Sequence, residues 1–178
     1  MDERKIHPNT RTLLDAWRRM AANPAELVHG PKASEYPSLI DRLFVLRRTP
    51  EGAWVFSNAG SALSRLLGRE LEDHDFLSLW SGNDRLISAA IIEATAKENE
   101  PSVIRSAGES LRGYRCDIEI PLAPLSGPSG LRMLGLYQSL GGEAMLRDRT
   151  IWKHRITSVQ MPDKRSVEPR IKLVASND

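Results

Sequence analysis

Residues 53–80 read AWVFSNAGSALSRLLGRELEDHDFLSLW, and their order decides the fold. Trp54 to Asn58 is a short aromatic strand. Ser61 to Leu67 is a short helix that turns Leu63, Leu66 and Leu67 inward. Gly68 stands where a helix commonly ends on a left-handed residue. Leu71 to Trp80 is apolar but follows neither period. Nothing in the stretch has catalytic character. A strand running straight into a short helix builds the wall of a small concave domain.

Working outward, Leu43-Phe44-Val45-Leu46 and the turn Thr49-Pro50-Glu51-Gly52 complete a hairpin with the strand at 54–58. Upstream, residues 10–22 form an amphipathic helix, capped by Thr10 or Thr12. Leu13, Leu14, Trp17, Met20 and Ala21 lie on one side, and Arg11, Asp15, Arg18 and Arg19 on the other. Asn23-Pro24 stops it. Residues 24–38, with Pro24, Gly30, Pro31 and Pro37, read as a linker.

Downstream, residues 83–98 predict a helix capped by Asn83 and buried along Leu86, Ile87, Ala90, Ile91 and Ala94. Val103 to Glu109 is a weaker strand. Tyr114, Cys116, Ile118, Ile120 and Leu122 then alternate with Arg115, Asp117 and Glu119, one face dry and one wet. A turn over Pro124 to Gly130 leads to a strand at Leu131–Leu140, and Gly141-Gly142 ends the compact part. Segments 151–161 and 170–175 are further strand candidates.

Helices bunched between hairpins predict an α+β fold. The expected form is a five-stranded antiparallel sheet with helices on one face, plus the N-terminal amphipathic helix. The expected divisions are 1–38 for helix and linker, 39–142 for the core and 143–178 for a basic extension.

A length of 178 residues suits one domain with extensions, and 40% hydrophobic and 27% charged residues are ordinary for a globular chain. No apolar run approaches the ~20 residues of a membrane helix. The N-terminus lacks a secretory apolar region, and the single cysteine, Cys116, fits a reducing compartment, so the cytoplasm is the expected location. Net charge is +2, but residues 147–178 carry +4 and the remainder −2. That basic tail allows an anionic partner or nucleic acid. Its charges are scattered, with no interleaved aromatic beyond Trp152, so a solvated extension is the plainer reading and nucleic acid is not the expected partner.

The element order is that of PAS domains, and specific residues carry a likeness. Leu43-Phe44-Val45-Leu46, Phe56-Ser57-Asn58-Ala59-Gly60-Ser61-Ala62-Leu63, Leu67-Gly68-Arg69-Glu70-Leu71 and Leu77-Ser78-Leu79-Trp80 together resemble small stand-alone bacterial PAS proteins, the fifth PAS family. The helix around Trp17 and the strand ending Ile120-Pro121-Leu122 are similar too, so the likeness covers roughly residues 12–140. It departs at Asp73-His74, where the family usually has a glycine. The resemblance implies a regulatory, non-enzymatic role: sensing a small molecule, dimerising, or docking another signalling protein in signal transduction.

The residues expected to face a pocket are Trp54, Phe56, Asn58, Leu63, Leu67, Trp80, Ile87, Ile91, Tyr114, Cys116, Ile118 and Met133, with Leu136 beside them. Such an apolar lining with few polar groups suits a small ligand, and equally a core packed on itself. Asn58 is the best polar handle. Leu14, Trp17 and Met20 are the expected anchors of a homodimer or partner interface, unless they pack on the chain's own sheet.

No catalytic residues and no metal site are predicted, because metal-ligand spacing, phosphate-binding glycine loops and nucleophile elbows are missing from the sequence. Haem is not expected: the helix at 83–98 has no histidine, and of His7, His29, His74 and His154 only His74 falls near the pocket. Flavin is not expected either, since Cys116 lies on a strand between Arg115 and Asp117 rather than on a helix.

Overall fold

Helix α1 (Pro8–Ala22) buries Leu13, Leu14, Ala16, Trp17 and Met20 along one side, as its periodicity requires. The computed structural model describes residues 6–22, 39–127 and 130–160. The linker read at 24–38 and the strand read at 170–175 lie outside them.

A 3₁₀ turn (Ile40–Arg42) leads into strand β1 (Leu43–Arg48), which pairs with β2 (Trp54–Ala59). Helix α2 (Ser61–Leu67) ends on Gly68 at φ 65°, the left-handed cap expected from the sequence. The irregular segment after it contains a 3₁₀ turn over Phe76–Leu79, capped by the Asp75 carboxylate accepting from Leu77 N at 2.9 Å. Helix α3 spans Gly82–Glu98, one residue longer at its start than predicted; Ser81 rather than Asn83 is its N-cap.

Strands β3 (Ser102–Ser110), β4 (Arg115–Gly127), β5 (Gly130–Leu136) and β6 (Gln138–Gly141) follow. After a short helix α4 (Glu143–Leu146), β7 (Ile151–Gln160) ends the described chain.

All seven strands among the described residues join one sheet in the order β2-β1-β5-β4-β3-β7, with β6 also paired to β4. The sequence predicted five. The two extra strands arise because Tyr137 interrupts the last predicted strand and because β7 pairs antiparallel along β3. The sheet therefore continues past Gly141-Gly142. Residues 151–160 of the expected tail are part of it.

β4 also runs further than predicted. The Pro124–Gly130 turn is in fact strand as far as Gly127, because pairing with β3 stops at Leu122 and residues beyond it bond only to β5. A proline is tolerated where one side of a strand has no ladder partner.

Both faces of the sheet are covered. On the inner face a large cluster joins Phe44, Leu46, Ile104, Ile118, Ile120 and Met133 to the helices and to Phe76 and Trp80. On the outer face α1 lays Leu13, Trp17 and Met20 against Ala123, Leu125, Leu134 and Leu136. The Trp17 indole also donates from Nε1 to the Pro124 carbonyl at 2.6 Å.

This double cover corrects two readings. Leu136 faces α1 rather than the inner layer. Glu119, placed on a wet face by alternation, is fully buried. It is held by Arg105 Nε and Nη2 at 2.8 and 2.6 Å and by the His7 backbone N–H at 2.9 Å.

Candidate functional site

The layer between sheet and helices gathers nine of the twelve predicted pocket residues: Trp54, Phe56, Leu63, Leu67, Trp80, Ile91, Cys116, Ile118 and Met133. Aromatic rings fill its centre. Phe44, Phe56 and Phe76 sit 5.5–5.7 Å apart between centroids, and Trp80 stands edge-on to Phe76 at 5.2 Å. Such spacings are in the favourable range for ring pairs.

Three predicted residues lie elsewhere, each for a physical reason. Asn58 is exposed because of a bulge. Leu46 opposes Phe56, but Val45 opposes Asn58, so Ser57 is an extra residue in β2. The alternation slips by one, and Asn58 turns to the side of Val45, away from the core. Ile87 is 42% exposed. Helix α3 turns Ser88, Ile91, Ile92 and Thr95 inward, so its inward face is rotated from the predicted stripe. Of its two inward polar residues Thr95 is satisfied, its hydroxyl donating to the Ile91 carbonyl and lying 2.6 Å from Ser102 Oγ, whereas Ser88 Oγ has no hydrogen-bond partner among the described residues. Tyr114 is exposed just before β4, where the Arg149 guanidinium lies over its ring at 4.5 Å.

Leu14, Trp17 and Met20 are buried at 1%, 6% and 5% exposure. Of the two alternatives the sequence left open, Trp17 and Met20 take packing on the chain's own sheet.

The functional-looking group that sequence reasoning missed is His154. It is buried, whereas His74, the histidine expected near the pocket, is exposed. His154 Nδ1 lies 3.1 Å from the Leu79 carbonyl and Nε2 lies 2.7 Å from the Tyr137 hydroxyl. A carbonyl only accepts, so Nδ1 carries the proton and Nε2 accepts from tyrosine. Trp80 stands beside the imidazole, 5.9 Å between ring centres, and its Nε1 donates to Ser106 Oγ at 3.2 Å. Burial lowers the His154 pKa to about 4, opposed by the Leu79 hydrogen bond and assisted by the charge of Arg69. The only signal in the sequence was the apolar spacing around 151–156, which predicts a strand but not its neighbour.

Cys116 is buried, with Sγ 3.3 Å from Ser139 Oγ. Burial pushes its thiol pKa up, partly offset by that hydrogen bond. The thiol is thus protonated, and the imidazole is neutral with both nitrogens engaged. Neither group is poised as a nucleophile or a general base. Among the described residues, no helix is long and apolar enough to cross a membrane.

An antiparallel sheet in this strand order, with α2 and α3 over its inner face around an aromatic interior, defines a PAS fold. The sequence agrees: the chain matches the PAS_5 family, described as PAS domain, over residues 6–138, and it belongs to that family. No curated protein matches the chain significantly.

Among solved structures, a light-oxygen-voltage (LOV) protein of Rhodobacter sphaeroides is similar at 17% identity and TM-score 0.46, covering 64% of this chain and 69% of that one. A light-oxygen-voltage domain studied with a flavin analogue is similar at 13% identity and TM-score 0.45, covering 65% and 90%. An RNA-binding light-oxygen-voltage receptor aligns at 17% identity and TM-score 0.41, covering 60% of this chain and a 33% share of its own length. Likeness at this level concerns the fold.

These neighbours correct the expectation against flavin. That expectation rested on the position of Cys116, which bears on adduct-forming photochemistry and not on whether a flavin is held. As packed here, Phe76 and Trp80 occupy the space between sheet and helices, so a guest of flavin size requires those rings to move.

Proposed function

We propose that the chain is a non-enzymatic signalling module, a sensor or adaptor that docks another protein and takes a small guest between its sheet and helices. The observation that carries the docking half is the rotated face of α3. Leu86 is 68% exposed and Ile87 42%, with exposed Ala90 one turn on, while Ser88 and Thr95 are buried. A helix that buries Ile91 and Ile92 and still leaves Leu86 and Ile87 on its exposed side offers an apolar surface for a partner to cover.

β7 is tied to the start of α3 and carries an exposed valine of its own. Its Val159 is 38% exposed, and the Ile156 backbone N–H donates to the Asp84 carboxylate of α3 at 3.0 Å. With Trp17 and its neighbours already spent on the outer face of the sheet, a homodimer would use the α3 face. A second copy of this chain is the first partner to test.

Sedimentation of the full chain across a concentration series is the measurement. A dimer that the double variant Leu86→Glu, Ile87→Glu converts to monomer supports the reading. A wild-type chain that stays monomeric throughout removes the homodimer and leaves a different protein as partner. Native mass spectrometry of freshly purified chain reads the guest half: a retained small molecule supports it, and a bare polypeptide mass in every preparation removes it.

A further inference from the structure

A second cleft, away from the aromatic core, carries charge that its own residues do not balance. It encloses about 410 Å³ and is lined by Arg42, Arg65, Arg147 and Arg149 against Glu143 and Asp148. Ala62 and Leu66 of α2 form an apolar wall.

Glu143 is already committed, since its Oε1 accepts from Arg42 Nη2 at 2.7 Å. The other terminal nitrogen of Arg42, Nη1, is buried and has no hydrogen-bond partner among the described residues. A buried donor without an acceptor is rare in a folded chain and points to a missing one. Arg65 and Arg147 are exposed and make no ion pair with any described residue. Arg147 also holds φ 50° and ψ −126°, a conformation that favours glycine.

We propose that this cleft binds a small phosphorylated molecule. Four arginines and two acidic residues line the cleft, a local net charge of +2, with the Arg149 guanidinium resting over the Tyr114 ring. A phosphoryl group near neutral pH carries close to two negative charges and three acceptor oxygens, whereas a carboxylate carries one charge and two oxygens. Guanidinium forks match such an anion. The volume falls within the range of small-molecule sites, and the Ala62–Leu66 wall gives the uncharged part of the ligand a surface to rest on. The site is distinct from the guest space between sheet and helices, so it stands or falls separately from the sensor reading.

The test is a titration of the full chain with inorganic phosphate at constant ionic strength, followed by backbone amide NMR. The expected result is saturable shifts centred on residues 62–66 and 143–149, weakened about tenfold or more in Arg65→Gln and in Arg147→Gly. Arg147→Gly relieves the positive φ while removing the guanidinium, so it loses phosphate without losing thermal stability. Glu143→Gln, which frees Arg42, tightens binding. Shifts that never saturate, or wild-type affinity in both arginine variants, overturn the proposal.

Discussion

The Tyr137 hydroxyl donates to His154 Nε2 at 2.7 Å, joining the break between β5 and β6 to the middle of β7. With the Leu79 carbonyl on the other ring nitrogen, the imidazole ties β7 to both the sheet and the 3₁₀ turn before α3. Burial keeps His154 neutral in this tie, because the charged imidazolium is disfavoured away from water.

Stability is therefore expected to fall in mild acid. His154 has a pKa of about 4 in the fold against 6.5 ordinarily. The unfolded chain takes up a proton near 6.5 and the folded chain does not until near 4, so this contribution is complete above pH 6.5 and is lost as pH drops between those values. One proton corresponds to about 1.4 kcal/mol per pH unit, or roughly 3 kcal/mol across the interval. Denaturant midpoints measured across that range check the slope, and His154→Leu should flatten it.

Tyr137→Phe removes only the hydroxyl and leaves Nε2 of a buried imidazole without a donor. A stability loss of about 1–3 kcal/mol is expected. Urea denaturation of the variant beside the wild type measures it. An unchanged midpoint would show that the tyrosine–histidine bond contributes nothing.

Trp17→Ala empties the seam between α1 and the sheet and deletes the bond to the Pro124 carbonyl. Substitutions of this kind cost about 3–5 kcal/mol. The variant should retain the oligomeric state of the wild type, because Trp17 faces its own sheet. Equilibrium denaturation and sedimentation of the one variant read both statements.

Arg105→Met takes the guanidinium from the fully buried Glu119 carboxylate and leaves it the His7 backbone N–H. Removing one partner of a buried pair costs about 3–5 kcal/mol, mostly from the charge left behind. Adding Glu119→Gln should recover much of that loss. A double variant no better than Arg105→Met sinks the argument.

Gly135→Ala places a methyl group against the Phe44 ring, which lies across from it in the β1–β5 register. Overpacking typically costs about 1–3 kcal/mol, and the neighbouring rings Phe56 and Phe76 leave Phe44 little room to shift. Thermal denaturation of the variant reads the cost directly.

The PAS likeness was legible because its residues are local. The Gly68 cap, the hairpin turn at Thr49–Gly52 and the α1 stripe each follow from neighbours within a few positions. Even the departure at Asp73 was visible as a departure, and the structure gives it φ 61°, the conformation a glycine takes freely there. The inward face of α3 was not legible, because Leu86 and Ile87 fit an apolar stripe as well as Ile91 and Ile92 do. Which stripe faces inward depends on how the helix is rolled against β3 and β4. The slip at Ser57 that turns Asn58 outward is a matter of pairing between two strands, and periodicity within one strand does not encode it.

The sequence by itself determined the class of fold, the order of its elements and most of the aromatic interior, because turn chemistry and hydrophobic periods act over short distances. Only the tertiary structure decided that β7 joins the sheet, that His154 is buried against Tyr137 and Leu79, and that Arg42, Arg65 and Arg147 line one cleft. Those outcomes depend on contacts between residues far apart in the chain, as from Arg42 to Glu143 or from Leu79 to His154. The free energy of such a contact depends on register and packing that no local window contains.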